Sequence, residues 1–339
     1  MIKPARTSYN GTQSEDFVKP NDYSDVGNAQ AFHKVNKDCL AWTKSLGWLV
    51  WDGKRWEPSD KRALSVAVAY TDEMLDRARQ ENKAALLSLA KIQASFDAQE
   101  EGTDPAAIRK AKAACSAAKA YLAHAEKSRG NSRLAAFLEV STAFFCIDLS
   151  ECDATPDEMN TPAGIVNLKS GQIRANDPAA YCTHITAAEP GKGNAGMWDT
   201  FLNTVTQGDE SIKNFLQMTA GMSLFGTVYH EGIMIAYGGG RNGKSTFYNA
   251  LGAVLGDYAG NVDAQTIISG YGNVGAALAT MRGKRLVISG ELEKGKALST
   301  ATLKRVASTD QLVIEHKYKD PETVRPSHSM VLFTNVLPS

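Results

Sequence analysis

A glycine-rich segment, GGGRNGKSTF at Gly238–Phe247, is the feature that most constrains the fold and chemistry of this chain. Gly238 is followed by four residues and then by Gly243–Ser245, which satisfies the pattern GxxxxGK[ST]. The apolar run Ile233–Ala236 precedes the segment, and helical periodicity follows it. A strand, a glycine turn and a helix in this order predict a loop that cradles phosphate groups.

The residue types of this segment suit a nucleoside triphosphate. Glycines allow backbone N–H groups to crowd around phosphate oxygens, and the start of the helix adds partial positive charge. We expect Lys244 to reach the β- and γ-phosphates and the Ser245 hydroxyl to bind Mg²⁺. The predicted cofactors are ATP and Mg²⁺. The predicted nucleotide-binding residues are Gly238, Gly239, Gly240, Arg241, Asn242, Gly243, Lys244, Ser245 and Thr246.

Two later apolar runs, Arg285–Ser289 and Met330–Thr334, end in polar residues. Glu291 and Glu293 follow the first run, Asn335 follows the second, and the carboxyl ends of parallel strands are where α/β sheets bind ligands. We expect one carboxylate to hold the metal, with Glu291 as the candidate, and the other to polarise the attacking water. The Asn335 amide would contact the γ-phosphate and that water. With Lys244, these residues are the predicted catalytic set. The alternative is a charged turn and a turn asparagine without catalytic roles.

The rest of the sequence predicts a mainly helical domain before the α/β domain. Residues 1–28 are polar and read as a flexible arm, and residues 29–190 as a mainly helical domain with small β-hairpins. WLVWDGKRW predicts one hairpin, whose tryptophans we expect to form a small core rather than to stack on bases. Helical periodicity over 61–99, as one long helix or two, and over 105–128 predicts a helical hairpin. GIVNLKSGQI predicts a second β-hairpin, and EPGKGNAG, at 189–196, a linker.

Composition excludes several classes of function. Thirty-seven basic and thirty-seven acidic residues cancel, so no overall attraction to nucleic acid or to an anionic membrane follows from charge. The five cysteines form no CxxC pair and the six histidines lack metal-ligand spacing, which argues against a disulfide framework and a zinc site. No long apolar run is present. These features predict a soluble, cytoplasmic protein without a membrane partner.

Four segments follow one another along the C-terminal half of the chain: NGKSTF, RGKRLVISGELEKG, LKRVASTDQLVIEHKYKDP and PSHSMVLFTNVLP. Together they resemble the superfamily 3 helicase domain of phage and plasmid primase-helicases, a group related to the poxvirus-type primase-helicase. In that family they are the Walker A, Walker B and B-prime segments and motif C. The resemblance covers about residues 196–339, and the two β-hairpins resemble the preceding domain more loosely. It implies an α/β P-loop NTPase of AAA+-like fold.

This resemblance implies a ring, usually a hexamer, that binds ATP between subunits and translocates on single-stranded DNA during phage, prophage or plasmid replication. The implied partners are single-stranded or forked DNA, further copies of the chain, and a separate primase or other replication protein. The implied location is the cytosol of a bacterium or of a phage-infected host. The B-prime segment would line the pore and contact DNA. Its predicted DNA-binding residues are Lys304, His316, Lys317, Tyr318 and Lys319.

One departure from the family pattern affects the expected activity. An arginine-rich segment follows motif C in the family and supplies an arginine finger, whereas this sequence stops at Pro338–Ser339. Arg282, Arg285 and Arg325 are available arginines, but none occupies the finger's place in the pattern. Because a missing finger costs about a thousandfold or more in rate, we expect weak hydrolysis by this chain alone. The alternatives are a hydrolysis-deficient ATP-binding scaffold or DNA-binding remnant, and a small-molecule kinase.

Overall fold

The computed structural model describes residues 17–98, 104–193, 195–268, 274–290, 297–314 and 322–335. They form two compact units. The first comprises the described residues up to Asp52 together with Glu57–Asp148. The second comprises Gly53–Trp56 and the described residues from Leu149 onward. The division after Asp148 lies well before the linker at 189–196, where the sequence predicted the domain boundary.

The first unit is mainly helical. Its helices are α1 (Asp25–Asn36), α2 (Asp60–Asp97), α3 (Pro105–Ser128) and α4 (Asn131–Phe145). A small sheet in the order β1-β2-β3 consists of β1 (Leu40–Thr43), β2 (Gly47–Trp51) and β3 (Trp56–Pro58). The core of this unit is aromatic, with Phe32 within 5.0 Å of Phe137 and 5.4 Å of Tyr70 between ring centroids.

The predicted β-hairpin and its tryptophans are confirmed. β2 and β3 are hydrogen-bonded neighbours in the small sheet, and β3 begins at Trp56 after the turn that contains Asp52–Gly53. Trp48, Trp51 and Trp56 are 6%, 1% and 2% exposed, so they serve as core residues and present no stacking surface to bases.

The start of the described chain is not the loose arm that composition predicted. Phe17 stacks on Tyr70 at 5.4 Å, and the Tyr70 hydroxyl donates a hydrogen bond to the Val18 carbonyl oxygen. Helix α1 begins at Asp25, capped by the Ser24 hydroxyl. The apolar side chain of Phe17 anchors this part of the otherwise polar segment. The composition of residues 1–28 as a whole does not indicate such a single contact.

Helices α2 and α3 form the predicted helical hairpin. A single helix, rather than two, spans Asp60–Asp97, with Ser59 as its N-cap. Met74, Leu75 and Ala78 of α2 pack with Tyr121 and Ala125 of α3 in one buried cluster. The two apolar stripes therefore bury each other, as their spacing indicated.

The second unit combines two small antiparallel sheets with a parallel one. Its helices are α5 (Gly196–Val205), α6 (Glu210–Met222), α7 (Lys244–Leu255), α8 (Val274–Met281) and α9 (Thr300–Val306). Antiparallel strands are β4 (Glu158–Thr161), β5 (Gly164–Asn167) and β6 (Ile173–Arg174), and separately β10 (Leu312–Ile314) and β11 (Glu322–Val324). The parallel sheet, in the order β7-β12-β9-β8, comprises β7 (Ile233–Tyr237), β8 (Ala259–Val262), β9 (Leu286–Ser289) and β12 (Ser329–Thr334).

The sheet of β4, β5 and β6 belongs to the second unit because it packs into that unit's core. Met159 of β4 lies in a buried cluster with residues of α7 and the parallel sheet. The Asn160 backbone N–H donates to the Tyr258 hydroxyl at 3.1 Å. The linker signal at 189–196 therefore marks a surface connection within one compact unit.

The central strands of the parallel sheet, β9 and β12, are buried on both faces, as is usual for parallel sheets. Val287 and Leu332 contribute to one apolar cluster, and Ile288 and Val331 contribute to another. The three strands predicted from apolar runs are confirmed. Strand β8 was not predicted because AGNV carries little apolar signal.

Arg285, at the start of β9, is buried and ties three parts of the second unit together. Its guanidinium donates hydrogen bonds to the carbonyl oxygens of Leu224 and Glu158. It also lies 4.6 Å over the Tyr258 ring. Burial lowers the pKa of this guanidinium from its ordinary value. A side chain used in this way is not free to act as an arginine finger.

We predict that Arg285→Lys lowers the free energy of unfolding of the second unit by about 2 to 4 kcal/mol. Lysine cannot reproduce both the forked hydrogen bonds and the stacking on Tyr258. The check is calorimetry of the unfolding transition, with Arg325→Lys at an exposed position as the control. Equal effects of the two substitutions would contradict a structural role specific to Arg285.

Candidate functional site

The loop Gly238–Gly243, here called the glycine loop, connects β7 to α7 and needs glycine for two reasons. Gly243, the N-cap of α7, has φ of +85°, which side-chain-bearing residues rarely adopt. A Cβ atom at Gly243 would also lie 2.4 Å from Cγ1 of Val205. The neighbouring Arg241 has φ of +62°. The loop therefore turns sharply and presents its backbone at the start of α7, where the helix dipole favours anions.

The Lys244 ammonium group is the centre of this arrangement. It donates hydrogen bonds to the carbonyl oxygens of Gly238 and Gly239 at 2.7 and 3.2 Å, and to Oδ1 of Asn242 at 2.9 Å. A fourth bond, of 3.1 Å, joins it to Oδ1 of Asn335. All four acceptors are neutral oxygens, and no described carboxylate pairs with Lys244. Its positive charge is therefore available to an anion.

Parallel strand pairing brings Asn335 to Lys244. Thr334, the last residue of β12, pairs with Tyr237, the last residue of β7, immediately before the glycine loop. On its other side, β12 pairs with β9, with Leu332 opposite Ser289. Three strands therefore end at one edge of the sheet, as the order of the apolar runs predicted.

A cavity of about 500 Å³ opens beside the glycine loop. Its lining combines polar groups of the loop and of the first turn of α7 with side chains from other elements. The lining residues are Thr204, Val205, Gln207, Gly240, Arg241, Asn242, Gly243, Lys244, Ser245, Thr246, Phe333 and Asn335. Ser245 and Thr246 thus share the cavity with Lys244, while Phe333 supplies an apolar surface.

Sequence reasoning missed the contribution of α5. Trp198 of α5 stacks on Phe247 of α7 at 5.6 Å, which sets the end of α5 against the glycine loop. Thr204, Val205 and Gln207 consequently line the cavity. Nothing in the local sequence indicates this contact, because α5 and the loop meet only through the packing of two helices.

The turn after α5 is fixed by the cap of the next helix. Asp209 accepts hydrogen bonds from the Ser211 hydroxyl and from the backbone N–H groups of Ser211 and Ile212. These bonds, led by that of the Ser211 hydroxyl, lower the pKa of the Asp209 carboxyl. Gln207 takes a left-handed conformation, with φ of 53°, within this turn.

The other predicted site residues fall into two groups. Glu291 and Glu293 lie outside the described residues, as do His316, Lys317, Tyr318 and Lys319. Lys304 is exposed in the last turn of α9. Within the described ranges, no group of three or more His, Cys, Asp and Glu residues could hold a metal ion. None of the described helices combines the length and apolarity needed to cross a membrane.

Comparison with known proteins identifies the family. The sequence profile described as D5 N terminal like matches residues 29–207, more than half of the chain. The chain therefore belongs to the D5 N terminal like family. This profile describes the N-terminal domain of a primase-helicase family. A second profile, described as a family of unknown function (DUF5906), matches residues 236–339. No curated protein matched the chain.

Similar solved structures include three of the NrS-1 C terminal region without ligand. The first, an A form, is 16% identical with a TM-score of 0.35, and the match covers 44% of this chain and 35% of that one. The second, also an A form, is 16% identical with a TM-score of 0.33, covering 50% and 45%. The third is 16% identical with a TM-score of 0.35, covering 49% and 46%. The chain thus spans less than half the length of each.

We predict that Gly243→Ala lowers thermal stability, since both the positive φ and the contact with Val205 oppose a side chain. Gly240→Ala is the matched control, because a Cβ atom there meets no heavy atom within 4 Å. Thermal unfolding of both variants checks the prediction. Equal unfolding temperatures for the two variants would contradict the described loop geometry.

Proposed function

We propose that the second unit binds and hydrolyses Mg-ATP, and that the chain acts as a subunit of an ATP-dependent DNA helicase. The observation that carries the proposal is the meeting of Lys244, at the start of α7, with Asn335, at the end of the neighbouring strand, beside a cavity. A lysine with neutral acceptors, a helix N-terminus and a glycine turn at one sheet edge suit a triphosphate.

Nucleotide binding would replace the present bonds of Lys244. Phosphate oxygens carry negative charge, so hydrogen bonds to them are stronger than those to the carbonyl oxygens of Gly238 and Gly239. The loop N–H groups and the first turn of α7 would bind the remaining phosphate oxygens. Ser245 and Glu291 would hold Mg²⁺, which neutralises charge on the β- and γ-phosphates when bound.

Asn335 links nucleotide binding to hydrolysis in this proposal. Its amide has both a donor and an acceptor, so it can contact the γ-phosphate and orient the attacking water at the same time. Glu293 would polarise that water. On nucleotide binding, the amide oxygen of Asn335 would exchange its bond with Lys244 for these contacts.

Translocation on DNA and ring assembly come from the resemblance to superfamily 3 helicases. Lys304, His316, Lys317, Tyr318 and Lys319 would contact the single strand through phosphate bonds and stacking. Membership of a primase-helicase-type family supports a role at replicating DNA, in a ring that is a hexamer in the helicases it resembles. A primase or another replication protein would be a further partner.

We expect Lys244→Ala to weaken Mg-ATP binding about ten- to hundredfold, because it removes a charged hydrogen bond to phosphate. Titration with a fluorescent ATP analogue measures this effect. Lys192→Ala, at an exposed position in the linker, is the control. Wild-type DNA-stimulated turnover in the Lys244→Ala protein would end the proposal.

For Asn335→Ala we predict nearly unchanged nucleotide binding but a turnover about a hundred- to a thousandfold lower, since the amide acts on the transferred phosphoryl group and water. Phosphate release by the assembled protein with single-stranded DNA measures turnover. Asn261→Ala, at an exposed position on β8, is the matched control. A loss of binding equal to the loss of turnover would assign Asn335 a structural role only.

A further inference from the structure

Helix α3 carries an unusual charge for a chain whose overall net charge is zero. It contains five basic residues and one acidic residue, Glu126. The basic residues are Arg109, Lys110, Lys112, Lys119 and Lys127, and all five are exposed.

None of these five cations forms an ion pair or a hydrogen bond through its side chain with any described residue. Several other cationic side chains of the first unit have carboxylate partners. Arg77 pairs with Glu73 at 3.1 Å, and Arg129 pairs with Asp72 at 2.6 Å. No described carboxylate therefore neutralises the charge that these five residues give α3.

Four of the cations lie on one face. Arg109 and Lys127 are separated by five helical turns, about 27 Å along the axis, and so share the same angular position. Lys112 and Lys119 lie within about a quarter turn of them. The opposite face of the helix is the one buried against α2, through Ala118, Tyr121 and Ala125. We call Arg109, Lys112, Lys119 and Lys127 the α3 basic face.

From this face we infer that α3 binds the phosphate backbone of duplex DNA, at a site separate from the nucleotide cavity. Exposed cations along about 27 Å of a helix match a DNA duplex, which carries one negative charge per about 1.7 Å of its axis. The residues between the cations, including Ala113, Ser116, Ala120 and Ala123, are short. They let a phosphate backbone approach the helix closely.

The chemistry of the face favours a duplex over a single strand. Proteins that hold single strands use aromatic side chains on which bases stack, and the α3 basic face has none. A membrane-surface helix would need large apolar residues beside its cations, whereas alanine and serine lie there. The cations of this face would contact phosphate groups and not base edges, so binding would not depend on the DNA sequence.

The test compares two variants of the whole chain that remove equal charge. One is R109Q/K112Q/K119Q/K127Q. The control is K34Q/K37Q/K61Q/K83Q, which changes four exposed lysines of α1, its C-cap and α2. Fluorescence anisotropy with a labelled duplex, without nucleotide, measures affinity over a range of salt concentrations. Circular dichroism checks that both variants are folded, and K112R/K119R/K127R preserves the charge should the first variant unfold.

The first variant should lose roughly tenfold or more in duplex affinity. The slope of the logarithm of the binding constant against the logarithm of the salt concentration should fall in magnitude by about three to four. The control and the charge-preserving variant should bind as the wild type does. Equal losses in both glutamine variants, or no loss in the first, would overturn the inference. So would a loss confined to vesicles of anionic lipid. Because nucleotide is absent, failure here leaves the proposed ATP site untouched, and failure of that site leaves this inference standing.

Discussion

Parallel pairing of β12 with both β7 and β9 is the constraint on which the candidate site depends. The pairing of Thr334 with Tyr237 places the end of one strand beside the start of the glycine loop. Lys244 and Asn335 are 91 positions apart in sequence, yet they share a hydrogen bond because these two strands end together. The buried apolar residues on both faces of the sheet, rather than any polar contact, hold this register.

The glycine loop is held from both sides. Lys244 bridges the loop carbonyls and Asn335 from one side, while Val205 of α5 fills the space beside Gly243 on the other. For the proposed nucleotide, such a loop would be preorganised, since its backbone already turns sharply at the start of α7. The bonds that Lys244 donates to neutral oxygens are weaker than bonds to phosphate oxygens, so in the proposed function nucleotide binding would exchange them and change the contacts of Asn335.

Local signals in the sequence predicted much of this arrangement, and long-range packing accounts for the rest. Apolar runs and glycines fix β7, β9, β12 and the glycine loop, because strand formation and positive φ depend on nearby residues. The contact of Val205 with the loop and the burial of Arg285 depend on elements distant in sequence. The inclusion of β4 in the second unit has the same origin. Glu291 and Glu293 lie outside the described residues, so their roles stay predictions.

The central claim is that Lys244 exchanges its loop oxygens for phosphate oxygens while Asn335 turns to the γ-phosphate. An experimental structure with Mg²⁺ and a nonhydrolysable ATP analogue tests this claim most directly. The account predicts phosphate oxygens within hydrogen-bond distance of Lys244 Nζ, broken bonds to Gly238 and Gly239, and the Asn335 amide beside the γ-phosphate. A nucleotide bound elsewhere, or a Lys244 that keeps all four of its present bonds, would contradict it.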